Sequence, residues 1–203
     1  MYGGGNRDQG IDFTGSGSLT ATADVVDSKK TAAGLFVYGH CGAANGADVT
    51  FIGPSGSALT SSGLILHSST NTLNVSGNAK MVARGETIAV QDNSTGSYYS
   101  TVSYAAPYYL NVGTLSDGSD ASAYAGTGSD NAKDLAGYKY VSFETADLFI
   151  GGVPIAASDA AAAVNALYPG SVTGSANYDI SNHKLSLNGA AITNGSTGSS
   201  DIN

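Results

Sequence analysis

Tryptophan is absent from this 203-residue chain, cysteine occurs once, proline four times, and lysine and arginine together number only 8. A lone Cys41 cannot close an intramolecular disulfide and has no partner thiols for a cysteine-based metal centre, so stability has to come from packing or assembly. Against those few cations stand 16 acidic residues, for a formal net charge of -8. Such a chain repels phosphate, and no cluster of Lys or Arg interrupts the field, so binding of nucleic acid or of an anionic membrane is not expected. No stretch approaches the roughly 18 apolar residues of a membrane span. The start, Met1-Tyr2-Gly3-Gly4-Gly5, has no basic segment followed by an apolar run, so no secretory signal is expected.

What is present is small and polar. Only 12% of residues are charged, whereas 41% are hydrophobic, enough to build a core. Gly, Ala, Ser and Thr together make up roughly half the chain, near the low-complexity border. A chain of this size folds as one large or two small domains.

From Ser18 onward Leu19, Ala21, Ala23 and Val25 alternate with Thr20, Thr22 and Asp24, the period of a half-buried strand. Short β-rich runs then recur about every ten residues: 34–40, 48–52, 64–67, 72–75, 80–84, 87–91 and 98–104. Turn formers separate them, among them Ala44-Asn45-Gly46, Gly53-Pro54-Ser55-Gly56, Ser76-Gly77-Asn78 and Asp92-Asn93-Ser94. Many short strands at even spacing predict a mainly β fold, an antiparallel β-sandwich or jelly-roll-like domain over residues 15–106, preceded by an extended arm at 1–14. Ala105-Ala106-Pro107 interrupts the rhythm and sets a boundary, because proline removes a ladder donor.

The remainder, 107–203, reads as a smaller α+β module. After a strand at 108–112, residues 116–134 form a polar loop. A strand follows at 138–144, then a hairpin through Gly151-Gly152. A single helix is predicted over 158–167, capped by Ser158, favoured by its alanines and stopped by Pro169-Gly170. Strands at 177–180 and 184–187 close the chain.

No convergent catalytic set emerges, so neither catalytic residues nor cofactor are expected. His40 precedes Cys41 at a strand end, but neighbouring strand residues point to opposite faces and cannot form a nucleophile pair. His67 and His183 lie in polar turns. Asp117, Asp120, Asp130 and Asp134 crowd one loop. Carboxylates there could take up Ca²⁺, but the spacing of a helix-loop-helix calcium site is missing, so a solvated acidic loop is expected and no metal is assigned. The glycines at 3–5 and 15–17 lack the strand and helix context of a phosphate loop and read as linkers. The sequon-like Asn74-Val75-Ser76, Asn93-Ser94-Thr95 and Asn194-Gly195-Ser196 carry no expectation without a signal.

The aromatic residues are more informative. Tyr98, Tyr99, Tyr104, Tyr108 and Tyr109 fall within residues 98–109, and tyrosine joins large contact area to a polar tip. With Tyr2 and Phe13 of the arm they are the interface candidates. The alternatives for the cluster are packing inside the domain and contact with a glycan.

Two resemblances bear on function. The order Lys29-Lys30-Thr31, Leu35-Phe36-Val37-Tyr38, Ala47-Asp48-Val49-Thr50-Phe51, Leu64-Ile65-Leu66 and Arg84-Gly85-Glu86-Thr87-Ile88, ending in Tyr99 to Tyr104, resembles small β-sandwich virion proteins of tailed bacteriophages. Asp147-Leu148-Phe149-Ile150-Gly151-Gly152-Val153-Pro154-Ile155, with Ala163-Val164-Asn165-Ala166 and the strands at Tyr178 and Leu185, resembles the insertion motif of flagellins. The long terminal helices of flagellin are missing, which points to a surface module. The first resemblance implies a non-enzymatic virion structural protein, a capsid decoration or fibre-like subunit at the virion surface, assembled in the host cytoplasm. Its partners would be itself, as a homo-oligomer such as a trimer, and other virion proteins such as the major capsid protein, with the arm docking along the lattice. The alternatives are a carbohydrate- or receptor-binding module that contacts a host glycan, and an extracellular filament or surface-layer subunit.

Overall fold

The computed structural model describes residues 2–3, 10–24, 31–56, 60–67, 71–93, 99–105, 107–126, 128–151, 153–155, 159–179 and 181–193. Among these described residues the fold is mainly β, 55% strand and 8% helical. It divides into two compact units, Met1–Glu144 and Thr145–Asn203.

The first unit is wound rather than folded back. Strands β1 (Tyr2–Gly3), β2 (Ile11–Thr14) and β3 (Ser18–Thr22) open it, and β4 (Thr31–Val37), β5 (Cys41–Ala44) and β6 (Asp48–Ile52) repeat the path. Strands β7 (Thr60–Leu66), β8 (Thr72–Val75) and β9 (Lys80–Arg84) make a further turn, and β10 (Ile88–Asp92) and β11 (Thr101–Ser103) begin another. Each strand pairs in parallel with its counterpart in the next coil, as in Ile11 with Cys41, Cys41 with Leu73, and Leu73 with Val102. Partners lie between 26 residues apart (Leu64 and Val90) and 34 apart (Tyr2 and Phe36). Three sheets result, with the orders β1-β4-β7-β10, β2-β5-β8-β11 and β3-β6-β9. This is a parallel β-solenoid, in which each coil buries its apolar face only by stacking on its neighbours.

The far end is finished differently. After β12 (Tyr108–Gly113), β13 (Ser122–Ala123) and β14 (Ser129–Asn131), a short 3₁₀ turn at Ala132–Leu135 leads into β15 (Tyr140–Thr145). Strand β14 runs antiparallel to β11, and β15 runs antiparallel to β9.

Rows of side chains run along the interior. Leu19, Val49, Met81 and Phe143 form one, and Ala21, Phe51, Ala83 and Val141 another. The large Phe51 is flanked by two alanines, so its ring fills the space they leave, and the Phe13 ring meets it at 5.6 Å. Cys41 lies in this core with Leu73 and Val102. One corner is set by residues that tolerate a left-handed backbone. Asn45 and Gly46 have φ of 57° and 83°, and Gly77 and Asn78 follow in the next coil with 59° and 61°. A Cβ on Gly77 would also sit 2.8 Å from the Asn45 amide nitrogen. Only glycine meets both demands there.

The mainly β expectation holds, but these sheets are parallel solenoid sheets, not those of an antiparallel sandwich or jelly roll. Alternation has period two in either kind of pairing, so it places strands without orienting them. The boundary also falls at Glu144, well past 106, because Tyr108–Gly113 joins the sheet that contains β15 and β9. The segment 1–14 is not wholly a free arm, since Tyr2–Gly3 pairs with β4 and Ile11–Thr14 pairs with β5. In the loop expected at 116–134, Ala132 is buried in the core, as is Leu135 just beyond it. Cys41–Ala44 is a strand that the spacing rule passed over, since its two central residues are glycine and alanine.

The second unit carries a hairpin of β16 (Phe149–Ile150) and β17 (Val153–Pro154), the helix α1 (Ala160–Leu167), and an antiparallel pair of β18 (Val172–Asp179) and β19 (Lys184–Ile192). Asp159 caps α1, accepting from the Ala162 amide at 2.9 Å, one residue after the expected Ser158, which lies outside the described residues along with Gly152. The Asn165 amide clamps the start of β18, donating to the Val172 carbonyl at 2.8 Å and accepting from its N–H at 2.9 Å. Leu148, Ile150, Val153, Ile155, Val164 and Tyr178 form the core of this unit.

Replacing Phe51 with Ala leaves a void between Ala21 and Ala83 that the backbone ladders on both sides keep from collapsing. Urea denaturation should show a loss of about 3–5 kcal/mol.

Candidate functional site

The third sheet ends at a corner where successive coils lie in register. Thr22 pairs with Ile52, and Ile52 with Arg84. The ladder carries on past the strands, since the Ala23 amide donates to the Ile52 carbonyl at 3.0 Å and the Gly53 amide to the Arg84 carbonyl at 2.8 Å. Asp24, Pro54 and Glu86 therefore follow one another along the corner. Together with Ser55, Ser116 and Asp117 they line a groove of about 230 Å³.

Ser61 holds this corner together. Its hydroxyl donates to the Pro54 carbonyl at 2.7 Å and accepts from the Glu86 amide at 3.1 Å, and its own amide donates to the Thr87 hydroxyl at 3.1 Å. Ser116 donates to Glu86 Oε1 at 2.9 Å, which fixes that carboxylate. Asp117 accepts from the Ser119 amide at 2.9 Å, and this bond, with that from the Ser119 hydroxyl, holds its carboxyl below the usual range. Arg84 is half-buried, and its Nε is enclosed without a hydrogen-bond partner. With Asp24, Glu86, Asp117, Arg84 and Ser55 in one lining, the groove can accept from hydroxyl donors at three carboxylates and can donate from a guanidinium and a serine hydroxyl.

The acidic loop does not converge. Asp120 accepts from the Thr114 hydroxyl and amide and from the Leu115 amide, and these bonds lower its pKa. Asp130 accepts from the Tyr104 hydroxyl at 2.9 Å, while Asp134 sits in the 3₁₀ turn. Among the described residues, no group of three or more His, Cys, Asp or Glu is placed to hold a metal ion. Likewise, among these residues no helix is long and apolar enough to cross a membrane.

The interface candidates separate. Tyr108 is 6% exposed and donates to the Ala79 carbonyl at 3.0 Å. Tyr109 is 8% exposed, and burial together with the charge of Glu144 pushes its hydroxyl pKa up. Tyr104 packs edge-on against Phe143, and burial, reinforced by Asp130, raises its pKa as well. Phe13 is half-buried against Phe51. Tyr99 is 37% exposed, and the Lys133 ammonium lies 4.6 Å from its ring centroid. Tyr2 belongs to β1, but its side chain, like the whole of Tyr98, lies outside the described residues.

The three histidines lie apart. His40 Nε2 lies 3.0 Å from Asp12 Oδ2 on the exposed side of its strand, whereas Cys41 is buried. His67 packs at a tilt against Phe36 and Tyr38, with ring centroids at 5.3 and 4.7 Å. His183 Nδ1 lies 3.3 Å from Asp147 Oδ2 in the second unit.

Sequence reasoning missed the groove, because Asp24, Pro54 and Glu86 are neighbours only through coil stacking. The signal that could have found it is the offset between Ile52-Gly53-Pro54 and Arg84-Gly85-Glu86, the same as between Asn45-Gly46 and Gly77-Asn78. No family model, curated protein or solved structure matches the chain.

Burial, and then the charge of Asp12, raise the Cys41 thiol to about 12. The folded state therefore favours the neutral thiol. That contribution is complete below the ordinary thiol range and is lost as pH rises toward the folded value. A disulfide exchange reagent should leave native protein unlabelled at pH 8 and label one thiol per chain in urea. Fast labelling of folded protein would contradict this burial.

Proposed function

We propose that this chain is a non-enzymatic structural protein of a bacteriophage virion, a decoration or fibre-type subunit that attaches to a capsid or tail lattice through its surfaces. The observation that supports this reading most is the solenoid itself. Its interior is filled by side-chain rows, its outward positions include Ser18, Thr20, Thr50 and Asn74 beside the charged Asp48 and Lys80, and its distinctive chemistry lies on faces and edges. Recognition by such a body is recognition by shape and hydrogen bonding. Its partners are further copies of itself and other virion proteins such as the major capsid protein. Immuno-electron microscopy of particles released by cells that express the chain provides the test. Regular labelling of a capsid or tail is the expected result. Labelling confined to cell-surface filaments or sheets would replace this reading with that of a surface-layer subunit.

The corner groove favours a second reading, in which the same body binds a host saccharide. Sugar hydroxyls can donate to Asp24, Glu86 and Asp117 and accept from Arg84. At 230 Å³ the groove is smaller than the roughly 300–1,000 Å³ of pockets that engulf a drug-sized ligand, so it suits one segment of a longer glycan. On a glycan array, Arg84→Ala and Glu86→Gln should each weaken any binding at least tenfold. Binding unchanged in both variants would place sugar contact elsewhere.

A further inference from the structure

The two ends of the solenoid differ. At the far end the second and third sheets continue into antiparallel strands, β14 on β11 and β15 on β9. At the first coil, among the described residues, β2 and β3 are the outermost strands of their sheets. The hydrogen bonds show which groups face outward there. Asp48 donates to the Gly17 carbonyl and Ala23 donates to the Ile52 carbonyl, both at 3.0 Å. The odd-numbered residues 17 to 23 therefore bond toward β6, and the N–H and C=O of Ser18, Thr20 and Thr22 turn to the open side. By the same parity Asp12 and Thr14 of β2 face outward, since Ile11 donates to the His40 carbonyl at 2.9 Å.

The side chains at this end are also incompletely covered. Ile11, Phe13, Leu19 and Ala21 occupy core rows yet remain half-buried, whereas their neighbours Cys41, Val49 and Phe51 are closed off. Edge strands usually carry Lys or Pro that discourage pairing. Ser18-Leu19-Thr20-Ala21-Thr22 has neither and carries no charge.

We propose that the first coil is a self-docking surface, at which two copies join through β3, antiparallel about Thr20, into a head-to-head dimer with a continuous third sheet. At the far end only the first sheet stops at a parallel strand, β10, while the third sheet runs on past β9 into antiparallel β15, so β3 meets no parallel end strand of its own sheet in a head-to-tail stack. A two-fold axis through Thr20 and normal to the sheet keeps both cores on the same side. It sets Ser18 against the partner's Thr22 and Thr20 against the partner's Thr20, the residues whose backbone groups face outward. Leu19 then lies opposite the partner's Ala21, so the half-covered rows close on each other. Threonine pairs suit adjacent antiparallel positions. The inference stands on the solenoid end alone and does not depend on the surface to which the protein attaches.

Light scattering of the full chain over a concentration series should give twice the chain mass of 20.2 kDa. Thr20→Pro removes only an outward N–H, since its neighbours make the bonds to β6, and should weaken the dimer at least tenfold with an unchanged circular dichroism spectrum. Thr20→Cys provides a check that does not require loss of assembly. Hydrogen-bonded antiparallel pairs have Cα atoms about 5.5 Å apart, within the roughly 4.4–6.8 Å that a disulfide spans. Mild oxidation should therefore cross-link Thr20→Cys into a dimer and leave Ser18→Cys uncross-linked. A monomer at every concentration, a trimer, or a dimer that Thr20→Cys fails to cross-link would each overturn the proposal.

Discussion

Each coil of the first unit depends on the backbone ladder that the next coil supplies. A strand such as Cys41–Ala44, whose centre is Gly-Ala, has little side-chain area with which to hold itself in place. It is held because Ile11–Thr14 on one side and Thr72–Val75 on the other satisfy its amides and carbonyls. This explains how a chain so rich in Gly, Ala, Ser and Thr builds an enclosed core. The interior rows need only a few large residues, Phe51, Met81, Leu35 and Leu64 among them, to fill the space between stacked backbones.

A ladder of this kind never terminates by itself. One end is finished by reversal, with β14 and β15 laid antiparallel on the last parallel strands. At the other, among the described residues, β2 and β3 are the outermost strands of their sheets. The same stacking turns separate corners into continuous features. The row Asp24, Pro54, Glu86 gathers into one groove carboxylates that lie about sixty residues apart in the chain, with Arg84 also in the lining. The surface reading of the protein rests on these edges and grooves, while its buried thiol and core tyrosines serve packing.

Part of the candidate site was legible in advance and part was not. Asp117 was identified through the acidic loop, but as a member of a cluster that the fold disperses: Asp120 binds Thr114, and Asp130 binds Tyr104. The tyrosines stand out in the sequence as interface candidates, yet Tyr108 spends its area on the core and its hydroxyl on Ala79. Proximity in sequence says little about proximity in a solenoid, where the neighbour of a residue is about thirty positions away. Arg84 reads as the end of the β-rich run 80–84, and Glu86 enters only through the segment that resembles virion proteins.

Local chemistry alone determined where several of the strands and turns fall. The β-rich runs match Asp48–Ile52, Thr72–Val75 and Lys80–Arg84 to the residue, the Asn-Gly and Gly-Asn pairs mark corners, and alanines between the expected cap Ser158 and Pro169-Gly170 mark the α-helix, which the fold caps one residue later at Asp159. The direction of pairing was decided only in three dimensions, because a strand that alternates with period two serves a parallel or an antiparallel neighbour equally well. What selects the parallel form is the sum over a whole coil: corners that return the chain one strand higher, and Thr31-Ala32-Ala33-Gly34-Leu35 lying over Thr60-Ser61-Ser62-Gly63-Leu64 in matching register. That match is a property of two segments taken together, so neither carries it alone.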